Sequence, residues 1–146
     1  MTKFRLFAAA ALAIATPTAA VASAKPLATL YKNPQCSCCE GYAAYLRAHG
    51  YQVRVIPSND LPLMMQRQGV PAELAGCHVT LVGGYFVDGH VPADAIDRLL
   101  KEHPAIKGIT LPGMPMGAPG MAGRKNGQWV VTAIGRDGRT SVYAKY

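Results

Sequence analysis

Four cysteines carry most of the chemistry open to this chain. Cys36-Ser37-Cys38-Cys39 places three sulfurs in one tetrapeptide, and Cys77 follows far downstream beside His78. Cys36 and Cys39 have the C-x-x-C spacing of dithiol redox enzymes, in which a stabilised thiolate acts as the nucleophile. Cys38 adds a sulfur that simple disulfide exchange does not need, so the trio points to a metal. Thiolates select Cu(I), zinc or iron–sulfur clusters.

A second soft element narrows that choice. The stretch Leu111-Pro112-Gly113-Met114-Pro115-Met116-Gly117-Ala118-Pro119-Gly120-Met121 holds three of the 6 methionines. Thioether binds Cu(I) well and zinc poorly, which favours copper. The competing reading is a loop whose methionines fill gaps against the domain. The candidate ligands are therefore Cys36, Cys38, Cys39, Cys77, His78, Met114, Met116 and Met121. His49 and His103 sit near helix ends and read as structural cations. His90, in Asp88-Gly89-His90-Val91-Pro92, reads as a turn histidine facing solvent.

These residues need a scaffold, and hydrophobic periodicity supplies one. Leu27 to Lys32 is a short strand candidate ended by Asn33-Pro34. Glu40 to His49 carries Tyr42, Tyr45 and Leu46 at helical spacing and stops at Gly50. Tyr51 to Ile56 alternates as a strand, and Asp60 to Gln68 reads as a short helix. His78 to Val82 and Tyr85 to Val87, separated by Gly83-Gly84, read as a hairpin, and Pro92 opens a helix that ends before Pro104.

The order β, α, β, α, β, β, α implies an α/β fold: a thioredoxin-like mixed sheet flanked by helices. In such a fold the loop before the third strand faces the C-x-x-C, which would bring Cys77 to the cluster. Cys77 and His78 share a site only if both belong to that irregular loop, because neighbours within a strand point to opposite faces. Gly108 to Gly127 reads as a Gly/Pro/Met-rich loop. Residues 128–146 form a second hairpin, expected as an appendage on the main domain.

Residues 1–24 read as a signal peptide: Lys3 and Arg5 precede the apolar run Leu6 to Ala15, and Ala22-Ser23-Ala24 offers small residues for cleavage. The mature chain, 25–146, is then a single exported domain with no stop-transfer segment, and membrane insertion after cleavage is not expected. With 50% hydrophobic and 16% charged residues in 146, the composition excludes intrinsic disorder. Removing Lys3 and Arg5 from the 15 basic residues leaves 13 against 8 acidic ones. These are scattered rather than clustered, which argues against nucleic-acid binding. Export into an oxidising compartment raises the possibility of two structural disulfides. The spacing resists it: pairing inside the cluster would strain the bond, and only one cluster cysteine can take Cys77.

Taken together, Tyr31-Lys32-Asn33-Pro34-x-Cys36-x-Cys38-Cys39, Gly69-Val70-Pro71, Cys77-His78, Gly83-Gly84-Tyr85, Gly89-His90-Val91-Pro92-Ala93, Pro112-Gly113-Met114-Pro115 and Pro119-Gly120-Met121 resemble the CopG-type periplasmic copper-resistance proteins. That family is catalogued as a domain of unknown function and is unrelated to the ribbon-helix-helix repressors of the same name. The resemblance implies a thioredoxin-like fold and copper handling in the cell envelope, with the cysteine cluster and Cys77 as ligands. This chain has Ser37, Gly76 and Ala118 where the family commonly has glycine, serine and serine, and none of these changes removes a sulfur.

The expected function is capture of Cu(I), coupled in one version to thiol or copper redox change and involving other periplasmic copper-handling or redox proteins. The alternative is a thiol-disulfide oxidoreductase in which Cys36 attacks and Cys39 resolves. An ideal helix turns about 100° per residue, so Cys38 should point away from Cys36 and Cys39. Bridging thiolates would then hold more than one Cu(I) per chain.

Overall fold

The computed structural model describes residues 24–146. The expected signal peptide lies outside these residues, apart from Ala24. Strand β1 (Ala28–Lys32) buries Ala28, Leu30 and Lys32 on one face, as alternation requires. The turn at Asn33-Pro34 is closed by Cys36 N–H on the Asn33 carbonyl at 3.0 Å and by Gln35 N–H on the Asn33 side chain at 3.0 Å. Helix α1 (Ser37–Ala48) therefore begins directly after Cys36, three residues before the periodicity placed it. Its stripe is Cys39, Tyr42, Ala43 and Leu46, in which Cys39 serves as a core residue as well as a sulfur.

The chain continues through β2 (Val53–Pro57), α2 (Leu61–Gln68), a single 3₁₀ turn (Ala72–Leu74), β3 (His78–Val82), β4 (Tyr85–Gly89) and α3 (Ala93–Glu102). Three strands follow, β5 (Ile106–Leu111), β6 (Val130–Gly135) and β7 (Thr140–Lys145). All seven belong to one mixed sheet in the order β2-β1-β3-β4-β5-β6-β7. The pairs β1/β2 and β4/β5 are parallel and the remaining pairs antiparallel. This is the α/β mixed sheet expected, and its first four strands are compatible with a thioredoxin-like arrangement. Helices α1 and α3 share one face, packing Leu46, Ile96 and Leu99 on Leu30, Val87 and Ile109. Helix α2 covers the other face with Leu61 and Met65 against Val79, Phe86 and Ile134. Each fully buried Leu or Ile contributes roughly 1.5–3 kcal/mol.

Two expectations are corrected. Residues 108–111, read as the start of the loop, belong to β5 (Ile106–Leu111), and the C-terminal hairpin extends the main sheet through it instead of lying on it. The misleading signal was Gly108. Any Cβ there would collide with the Phe86 carbonyl and ring, so the glycine marks a close approach between strands, not a turn.

Candidate metal centre

The end of β1, the start of α1 and the loop entering β3 converge on one point. Cys36 caps α1 in an extended conformation (φ −79°, ψ 102°), and this departure from helical geometry swings its sulfur toward the helix start. Cys36 Sγ lies 3.3 Å from Cys38 Sγ, and Cys77 Sγ lies 3.7 Å from Cys38 and 3.5 Å from Cys39. All four sulfurs fall within 4.8 Å of one another. Cys38 therefore does not point away from its neighbours, as ideal helical geometry would have it.

Cys36 and Cys39 are joined as a disulfide, with Cys38 and Cys77 free. The expectation that pairing within the cluster would be strained is corrected for this pair. Positions i and i+3 at the helix start meet, and their Cα separation of 5.6 Å is ordinary for a disulfide. Cys36 and Cys38 are half-buried, whereas Cys39 is completely buried.

Cys77 stands just before β3, so its side chain escapes strand alternation. Its sulfur lies 3.4 Å from His78 Nδ1 and 3.7 Å from His90 Nε2. His90 is fully buried, not a solvent-facing turn residue. Gly89 (φ +73°) folds the chain back, and a Cβ there would sit 2.5 Å from the Leu111 carbonyl. His90 is thereby pressed between His78 and Tyr42, at ring separations of 4.8 and 5.4 Å. Its Nδ1 donates to the Pro119 carbonyl at 2.7 Å, which leaves the Nε2 lone pair directed at Cys77.

The electrostatics suit a thiolate-imidazole metal site. Burial, and next the charge of His90, push His78 down to about 3, and burial also lowers His90. Both imidazoles are thus neutral, the form that ligates. His78 Nε2 is buried with no hydrogen-bond partner among the described residues. Burial, and next the Cys38 thiol, push the Cys77 thiol up to about 12. A metal binding there must displace a proton.

The methionine loop docks on this centre through its backbone. Pro119 holds His90, and Gly120 (φ +76°) lies against Gly41 and Tyr42 of α1. Met121 packs half-buried against the core that also receives Cys36, Cys38 and Cys77. Met114 and Met116 are 42% and 52% exposed. The docking makes Gly120→Ala costly: a Cβ would meet the Gly41 carbonyl carbon at 2.6 Å in a left-handed conformation. We expect a loss of about 2–5 kcal/mol in urea unfolding, combining backbone strain with overpacking.

On the opposite face of the sheet, Asp88 fixes the segment leading to Cys77. Its fully buried carboxyl accepts the Gly76 N–H at 2.8 Å and lies 3.0 Å from the Thr110 hydroxyl. That hydroxyl is also 3.0 Å from the Leu74 carbonyl, so its single proton faces two acceptors. A protonated Asp88 resolves the conflict by donating to Thr110. Burial pushes Asp88 up to about 7, against the pull of both hydrogen bonds. A carboxyl raised on folding contributes stability at low pH that is lost as pH rises through its folded value. His78, lowered on folding, acts in the opposite direction below about pH 6.5. The comparison with Asp88→Asn, which does not titrate, isolates the carboxyl. Relative to that variant, the wild type should lose at most about 4 kcal/mol of urea-unfolding stability between about pH 4 and pH 8.

The fold and site define a class: a mixed α/β protein with a compact cluster of cysteine sulfurs and two buried imidazoles able to hold a soft metal. Comparison with known proteins makes this particular. Residues 74–121 match the family described as "Protein of unknown function, DUF411". A solved structure titled "Copper resistance protein copG- Form 2" matches with a TM-score of 0.79 and 34% identity, over 84% of this chain and 98% of that one. A second, "Copper resistance protein copG- Form 1", matches with a TM-score of 0.77 and 35% identity over the same shares. No curated protein matches the chain. The chain belongs to the CopG copper-resistance family.

Proposed function

We propose that this protein captures Cu(I) in the periplasm as part of copper resistance. The observation that carries this reading is the gathering of four cysteine sulfurs within 4.8 Å. Sulfur donors at that spacing suit Cu(I) with bridging thiolates, so more than one ion per chain is the natural loading. Cys36, Cys38, Cys39 and Cys77 form the sulfur core. His78 and His90 extend it through Cys77, and the methionine loop completes coordination, with Met121 better placed than Met114 or Met116.

Metal analysis and thiol titration of protein isolated anaerobically from the cell envelope test the proposal. Copper in excess over zinc, with the cysteines protected from thiol reagents, supports it. Zinc or no metal, with reactive thiols, refutes it.

A cysteine-based redox activity is the second reading, favoured by the Cys36–Cys39 disulfide. In this role Cys36 is the attacking thiol and Cys39 the resolving one. Partners are other copper-handling or redox proteins of the same compartment rather than nucleic acid. Among the described residues no helix is long and apolar enough to cross a membrane. Export requires cleavage after Ala24, and N-terminal sequencing of the mature protein should begin at Lys25.

A further inference from the structure

Tyr42 stands against both buried imidazoles and against the two segments that hold His90. It belongs to the apolar stripe of α1, three residues after Cys39, and is fully buried. Its ring lies 4.7 Å from that of His78 and 5.4 Å from that of His90, and the two imidazoles are 4.8 Å apart, so the three rings close a triangle. Its hydroxyl donates to the Val91 carbonyl at 2.8 Å. Its backbone is the seat of Gly120, where no Cβ would fit, and Pro119 just before that glycine accepts the hydrogen bond from His90 Nδ1 at 2.7 Å.

One residue of the helix that carries Cys38 and Cys39 thus restrains His90 from two sides. Tyr45 adds to the hold: its hydroxyl accepts the Ala93 N–H at 3.0 Å, a group in the first turn of α3 that has no partner within the helix. A buried Val91 carbonyl without a donor would carry the cost of an unmade hydrogen bond, so the Tyr42 hydroxyl favours the conformation of residues 89–92 that meets it. In that conformation His90 donates from Nδ1, and its bare Nε2 lies 3.7 Å from Cys77 Sγ. A histidine in water carries its proton mainly on Nε2. The opposite tautomer is imposed here by the hydrogen bond that Nδ1 makes.

We propose that Tyr42 is a positioning residue for the imidazole arm of the centre: its hydroxyl and its seat for the methionine loop together lock His90 in the Nδ1–H tautomer, with Nε2 turned to Cys77. The sulfurs are placed separately, by the Asn33 turn before α1 and by the hydrogen bond from Gly76 to Asp88. The tautomer consequence stands on the protein alone, and the metal consequence rests on the Cu(I)-capture reading.

Three variants separate this role from core packing. Tyr42→Phe keeps the ring and removes the hydroxyl. Tyr45→Phe leaves the Ala93 N–H without its acceptor. Tyr51→Phe is the control: Tyr51 is buried in the same core and loses a hydroxyl hydrogen bond of 2.6 Å, but to Asp97 and not to the segment of His90. In each reduced, metal-free protein the His90 ring nitrogens are read by long-range ¹⁵N–¹H NMR. Each reduced protein is then loaded with Cu(I), its affinity measured against a competing chelator and its nitrogen and sulfur neighbours counted by X-ray absorption.

The wild type should show a single Nδ1–H form of His90. Tyr42→Phe should show nitrogen shifts averaged toward the Nε2–H form. Loaded with Cu(I), it should have fewer nitrogen neighbours around an unchanged sulfur shell and an affinity about tenfold weaker, the low end for a group that orients a ligand. Tyr45→Phe should move the same way by less, and Tyr51→Phe should match the wild type. Wild-type His90 shifts in Tyr42→Phe overturn the proposal, as does a wild type that carries the His90 proton on Nε2. A change in Tyr51→Phe as large as that in Tyr42→Phe also overturns it, because the loss of any buried hydroxyl would then explain both. If Tyr42→Phe does not fold, Tyr45→Phe against Tyr51→Phe decides by the same criteria. If the wild type takes up no Cu(I), the copper reading fails, and the metal-free shifts still decide the role of Tyr42.

Discussion

Cys77→Ser in the reduced protein should weaken Cu(I) binding by more than the roughly 10–100-fold typical of residues outside a ligand set. It should also lower the number of ions held at saturation. Cys77 is the one cysteine shared by the two groups of potential ligands, the four-sulfur cluster and the set Cys77, His78 and His90. Its sulfur lies 3.5–3.7 Å from Cys38, Cys39 and His90, so it is placed to bridge. A serine oxygen is a hard donor that Cu(I) does not favour, and the bridge is lost with the sulfur. Stability should change little, because Cys77 is only half-buried and its loop is held through Gly76 by Asp88. Competition titration together with urea unfolding checks both halves. Retained affinity and ion count would remove Cys77 from the centre.

Oxidation should have an effect of the same order without any mutation. Closing the Cys36–Cys39 disulfide takes two of four sulfurs out of the thiolate pool, leaving Cys38 and Cys77. A disulfide sulfur is a far poorer ligand than a thiolate. Protein oxidised to this single bridge should lose Cu(I) affinity by at least about a hundredfold, and reduction should restore it, because losing two ligands exceeds losing one outer partner. Chelator competition before and after reduction, with the bridge mapped by mass spectrometry, tests this. Unchanged affinity in the bridged form would mean that Cys36 and Cys39 are not ligands and would return the pair to a purely redox role.

The chemistry is legible in residue type, the geometry only in part. Three sulfurs in a tetrapeptide and three methionines in one loop announce soft-metal binding through donor chemistry alone. The first crossover also follows from pattern, since Leu30 in β1 and Tyr42 and Leu46 in α1 sit where their periods place them. The extended cap at Cys36 is not legible, because it is set by the two hydrogen bonds to Asn33 and not by periodicity. Nor is the burial of His90: a histidine after Asp-Gly looks like a surface turn until Tyr42, His78 and Pro119 close around it from distant parts of the chain. β5 is hidden by Gly108, whose missing side chain makes room for Phe86. In each case a local signal is outweighed by a tertiary contact.

The most direct test of the sulfur cluster as a Cu(I) centre is an anaerobic titration of the fully reduced protein with Cu(I) against a competing chelator, counting free thiols at each step. Saturation above one equivalent, with all four cysteines withdrawn from thiol reagents together, is the expected result. Saturation without protection of Cys36, Cys38, Cys39 and Cys77, or no uptake in competition with the chelator, would contradict it.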